Sequence, residues 1–152
     1  VAIVAILYNV GALLGGLTFG YLSDTMGRRR TMAAAVICAG LVIPLWIYPS
    51  TLAVLTLGAF LMQFMVQGAW GVIPAHLTEL SPPEVRGLFS GLAYQTGVLL
   101  ASGAAFSQAI LAERFGYAAT LAGVAAIVML LAAIVILLGR ERMGRELDSS
   151  AA

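Results

Sequence analysis

Long apolar runs alternate with short polar stretches along almost the whole chain. Five runs stand out, at residues 1–22, 32–48, 52–77, 88–111 and 117–138, and none contains Asp, Glu, Lys or Arg. A helix crossing a bilayer needs about 20 apolar residues, with a usual range of roughly 17–25. In lipid every backbone N–H and C=O must pair within the protein, so runs of this kind cross as helices. The pattern therefore predicts an all-α membrane protein with five transmembrane helices and a polar tail at 139–152.

Composition agrees. The 152 residues are 61% hydrophobic and 10% charged, with a mean hydropathy of +1.00, whereas soluble domains carry roughly 25% charged residues. All eight basic residues are arginines, and threading the five spans alternately puts seven on one side, with Arg114 alone on the other. The positive-inside rule makes the arginine-rich side cytoplasmic. The segments 23–31 and 78–87 and the tail are then expected in the cytoplasm, and the protein in the cell membrane. The chain opens at Val1 in the middle of an apolar run, so it is expected to be a piece of something larger. Cys38, the single cysteine, reads as a small buried hydrophobe.

The loops contain recognisable helix signals. Ser81, Pro82 and Glu84 suggest an N-cap, a first-turn proline and a capping glutamate, so the fourth helix is expected to start near Ser81. Glycines four apart, Gly11/Gly15, Gly16/Gly20 and Gly87/Gly91, would let helices approach closely. Pro74 is expected to kink the third span by removing a ladder bond.

Amides inside the spans point to a site. Asn9 follows Tyr8 in the first span, Gln63, Gln67 and Trp70 share one face of the third, and Tyr94 and Gln95 adjoin in the fourth. Polar side chains facing lipid are costly, so these should turn inward. At about 1.5 Å rise per residue, Gln67 lies about 18 Å from Glu79, Gln95 about 12–14 Å from Arg86 and Asn9 about 22 Å from Asp24. Each falls near the middle of a core ~30 Å thick, the depth at which secondary transporters bind substrate. Asn9, Gln67 and Gln95 are expected to converge on one cavity, with the first, third and fourth spans lining it and the second and fifth peripheral. His76, near the cytoplasmic edge, is poorly placed for a midplane proton relay. No span holds a carboxylate, so the coupling acid of any proton-driven process is expected elsewhere.

The stretch GLTFGYLSDTMGRRR at residues 16–30, with Gly20, Asp24, Gly27, Arg28, Arg29 and Arg30 in register, resembles the loop signature of the major facilitator superfamily of transporters. Thr25 stands where that signature usually has a basic residue, which suggests its weaker second copy, between helices 8 and 9. WGVIPAHLTELSPPEVRG at 70–87 and GLAYQTG at 91–97 look like the helix 10 to helix 11 region of lactate permeases in the sialate:proton symporter group. The resemblance spans 7 to about 140. It implies that the five spans are helices 8–12 of a twelve-helix fold whose N-terminal helices are missing partners. It also implies a symporter moving a small organic anion, a monocarboxylate such as lactate or pyruvate, with a proton. No cofactor beyond the proton gradient is implied, and no nucleic-acid partner.

By position, Gln95 is the leading substrate contact, within the set Asn9, Gln63, Gln67, Trp70, Tyr94 and Gln95. Gly20, Asp24, Gly27, Arg28, Arg29, Arg30, Glu79 and Arg86 form an expected cytoplasmic gate, in which Arg28 or Arg29 meets Glu79 and Asp24 lies near Arg86. Two alternatives remain: another substrate on the same fold (sialate, a sugar or an exported drug), and a membrane scaffold that transports nothing. An enzyme has no support, since Ser102 and His76 lie on different spans at different depths.

Overall fold

A computed structural model describes residues 2–140. The described residues form α1 (Ala2–Met26), α2 (Arg28–Ile47), α3 (Leu52–Leu80), α4 (Arg86–Ala101), α5 (Ala104–Phe115) and α6 (Tyr117–Leu138), with a 3-10 turn at Pro83–Val85 and no strand. Five segments are long and apolar enough to cross a membrane, α4 and α5 counting together as one. The all-α membrane architecture expected from the apolar runs is the one observed.

The helices run further than the apolar runs. α1 continues through Ser23 and Asp24 to Met26, and the turn into α2 is Gly27 alone. Gly27 has φ 98° and ψ 145°, a conformation closed to residues with a Cβ. Gly116, at φ 80°, makes the equally short turn between α5 and α6. The Thr51 hydroxyl caps α3 by accepting from the Val54 N–H at 3.2 Å.

Two local expectations are corrected. Ser81 does not start the fourth helix but ends the third. Its N–H bonds the Leu77 and Thr78 carbonyls, and its hydroxyl donates to the Leu77 carbonyl at 2.6 Å. With that oxygen held backward, the chain passes through the 3-10 turn, and α4 begins only at Arg86. The fourth span is also two helices, broken at Ser102–Gly103. α3, by contrast, stays one helix through Pro74. Proline has no N–H, so the Trp70 carbonyl loses its ladder partner there.

Packing follows residue size. Lipid is as apolar as leucine, so helices associate through close van der Waals fit rather than through exclusion of water. α1 lies along α3 where glycines permit: a Cβ on Gly11 would fall 2.6 Å from the Phe60 carbonyl oxygen, and one on Gly15 would collide with that of Phe64. A Cβ on Gly16, Gly20, Gly87 or Gly91 would meet nothing within 4 Å, although the Gly16 backbone itself lies against Gly71 of α3, whose added Cβ would fall 3.4 Å from Gly16 Cα. α2 packs between α3 and α6, burying Met32, Ala35, Val36 and Ala39 against Met62, Ala69, Val72 and Ala133. Its alanine-rich sequence fits both neighbours among the described residues. α4 and α5 bury no residue.

Candidate functional site

The turn at Gly27 brings five polar groups together. Arg28 opens α2 and reaches back to α1. Its Nη1 lies 2.5 Å from Asp24 Oδ1 and donates to Ser23 Oγ at 2.6 Å, while Ser23 donates to the Gly20 carbonyl at 2.7 Å. Its Nε donates to Glu79 Oε1, on the last turn of α3, at 3.1 Å. Arg29 donates to the Gly139 carbonyl at the end of α6 at 2.8 Å. The α1–α2 turn and the ends of α3 and α6 therefore lie at one rim, as the threading of the arginines requires.

The two ion pairs differ in worth. Asp24 is 60% exposed, whereas Arg28 and Glu79 are 16% and 18% exposed. The Asp24 pair belongs with surface bridges worth ~0–1 kcal/mol. The bond to Glu79 is charge-assisted and mostly out of water, in the range of about 1.5–3 kcal/mol.

The expected Arg28–Glu79 contact is present, and no ion pair joins Asp24 to Arg86 among the described residues. Asp24 lies four residues from Arg28 and meets it across the tight turn. Arg86 heads α4, which packs on α3, and its Nε is buried without a hydrogen-bond partner. Arg30 points outward, exposed. Sequence reasoning missed Ser23, which is fully buried and joins the Gly20 carbonyl to Arg28. Its signal was its place five residues before Arg28, the reach of a helix end folding back on itself.

The second constellation lies between α3 and α4. Trp70 and Tyr94 meet edge to face, with ring centroids 5.6 Å apart at 69°. They wall a groove of about 620 Å³ completed by Ile73, Leu77, Val98 and Ser102. A smaller groove of about 230 Å³ adjoins it, where Gln95 comes beside Tyr94, Thr78 and Ser90. Trp70, Tyr94 and Gln95 are thus brought together.

The other amides do not join them. Asn9 donates to the Ala5 carbonyl of its own helix at 2.7 Å and lies on an α1 face with Ile6 and Leu13. Gln63 and Gln67 are half-buried along α3, and neither lines the described grooves. Among the described residues Asn9, Gln67 and Gln95 therefore line no common groove. α4 packs on α3 and not on α1, so no helix of the described residues closes a chamber around all three.

An apolar trough edged by an amide and hydroxyls suits a small molecule with a hydrocarbon body and one hydrogen-bonding end. With that geometry established, the profile of the major facilitator superfamily matches residues 1–152. The chain belongs to this superfamily. It is 31% identical, over 98% of its length and 26% of the relative's, to a protein of Saccharomyces cerevisiae named carboxylic acid transporter homolog. A probable 4-methylmuconolactone transporter of Cupriavidus pinatubonensis is 28% identical over 71% of the chain and 26% of its own length. A glucose transporter of Staphylococcus epidermidis is 30% identical over 55% of the chain and 19% of its own length. The chain spans about a quarter or less of these relatives. No solved structure matches it significantly.

Proposed function

We propose that this superfamily member is part of a proton-coupled symporter for a small monocarboxylate such as lactate or pyruvate, working by alternating access. Trp70 and Tyr94 would flank the hydrocarbon body, and Gln95 would bond the carboxylate. The supporting observation is the pairing of one amide with an apolar aromatic groove. A sugar carries hydroxyls around its ring and calls for several convergent amides, yet Asn9, Gln63 and Gln67 stand apart from Gln95. The match to a carboxylic acid transporter homolog over 98% of the chain points the same way.

Sugar transport is the second reading, favoured by the match to a glucose transporter over 55% of the chain. Uptake of labelled lactate and of labelled glucose into vesicles containing the full-length transporter separates the two. Lactate uptake that rises as the outer medium is acidified supports the symporter. Glucose uptake without lactate uptake overturns it. The rim around Arg28 is proposed to face the cytoplasm of a cell-membrane protein and to brace its inward face.

A further inference from the structure

We infer that Ser102–Gly103 is a hinge, about which α5 moves relative to α4 to open and close the far end of the Trp70–Tyr94 groove. Three observations converge on it.

The first is the hydrogen bonding at the break. The Ser102 N–H bonds the Leu99 carbonyl three residues back, at 3.2 Å, instead of continuing the four-residue ladder. Serine hydroxyls add a second bond to one carbonyl on each side of the break: Ser102 Oγ donates to the Leu99 carbonyl at 2.6 Å, and Ser107 Oγ to the Gly103 carbonyl at 3.0 Å, each of which also accepts a backbone N–H. Gly/Ser pairs are a recognised cause of sharp helix bends.

The second is that the two halves are held by different neighbours. α4 packs on α3, through Trp70 and Tyr94, while α5 packs on α6. A Cβ at Gly103 would meet nothing within 4 Å, so no described neighbour wedges the break itself.

The third is position. Ser102 lies about 24 Å along the span from Arg86 at ~1.5 Å per residue, in the half of the membrane away from the arginine rim. The groove ends there, at Ala101 and Ser102. Hinges are short, often small-residue segments that absorb a change in φ and ψ. Swinging α5 about this one would cover or clear the groove's far end while leaving the aromatic pair in place.

The test uses the full-length transporter in lipid vesicles, with Cys38→Ser and pairs of spin labels on introduced cysteines. Labels at Leu57 and Leu111 report α3 to α5, across the hinge. Labels at Ala75 and Leu88 report α3 to α4, below it. The hinge predicts two distance populations for the first pair and a single one for the second. Gly103→Ala adds helix propensity without a clash, so it should shift the first pair's populations about fivefold toward the straight form. It should slow maximal lactate uptake by a similar factor, with KM within twofold of wild type.

One unchanging α3–α5 distance in wild type, or equal movement in both pairs, overturns the hinge. The wild-type distances decide it even if Gly103→Ala fails to fold. They also need no substrate: two populations in a protein that moves no lactate would sink the proposed substrate and keep the hinge.

Discussion

Arg28 is the residue whose neighbourhood explains the most. Its guanidinium serves Ser23, Asp24 and Glu79 at once, which a planar fork of donors can do and a point charge cannot. Arg28→Ala leaves a mostly buried carboxylate on α3 without its partner and should cost about 1–3 kcal/mol of stability, read as a lowered midpoint of thermal unfolding in detergent. Arg28→Lys keeps the charge and loses the fork, so it should recover less than half of that loss. A full recovery would reduce the contact to simple charge neutralisation. Gln95 makes a separate prediction at the groove. Removing one neutral hydrogen bond worth about 0.5–1.5 kcal/mol should raise the KM for lactate roughly 2–10-fold in Gln95→Ala, with expression unchanged. An unaltered KM would assign Gln95 to holding helices together.

The helices were the most legible part of the sequence, because in lipid an uncharged run of sufficient length has no other way to cross. Their ends were less so. The polar residues Ser23, Asp24 and Thr25 continue α1 to Met26, since the turn needs only Gly27 and its positive φ. Ser81 looks like a cap to a sequence reader, but a serine hydroxyl can equally bond backward to a carbonyl four residues earlier, and it does. The break at Ser102–Gly103 was hidden because neither residue is charged, so the uncharged run continues through both. Of the site, Trp70, Tyr94 and Gln95 were each legible as candidates, but the edge-to-face contact of Trp70 with Tyr94 was not, because it depends on how α3 meets α4. The separation of Asn9 was not readable, because spacing within one helix says nothing about which helix becomes its neighbour. The α1–α3 contact yields the prediction at this scale. Gly15→Leu would force bulk against the Phe64 carbonyl and should destabilise by about 1–3 kcal/mol, as overpacking does. The same change at Gly20, which faces open space, should cost far less. Equal costs would mean that the two helices part as easily at one glycine as at the other.

At the scale of the molecule, the rim sets both direction and movement. Arg28 and Arg29 tie the α1–α2 turn to the ends of α3 and α6, so these helices meet the membrane surface as one unit. If that surface is cytoplasmic, as the arginine bias requires, a cysteine at Thr25 in a Cys38→Ser background resists an impermeant thiol reagent in intact cells, while one at Ser50 reacts. The reverse labelling pattern would invert the topology. Ser149, a further probe of the same side, lies outside the described residues. The unit also bears on gating. Alternating access rocks one part of a transporter against another, and a pair within a single unit braces it without being broken in the cycle. Arg28–Glu79 is such a pair. Asp24 is different, being 60% exposed and joined to Arg28 on one side only, which leaves its carboxylate open to a further partner. Asp24→Asn should therefore leave thermal stability within about 1 kcal/mol of wild type, the range of an exposed bridge, yet slow maximal uptake by the full-length transporter. Glu79→Gln should lower stability first. If Asp24→Asn transports at the wild-type rate with normal insertion, Asp24 has no part in the cycle and the rim is an orientation signal braced by Arg28.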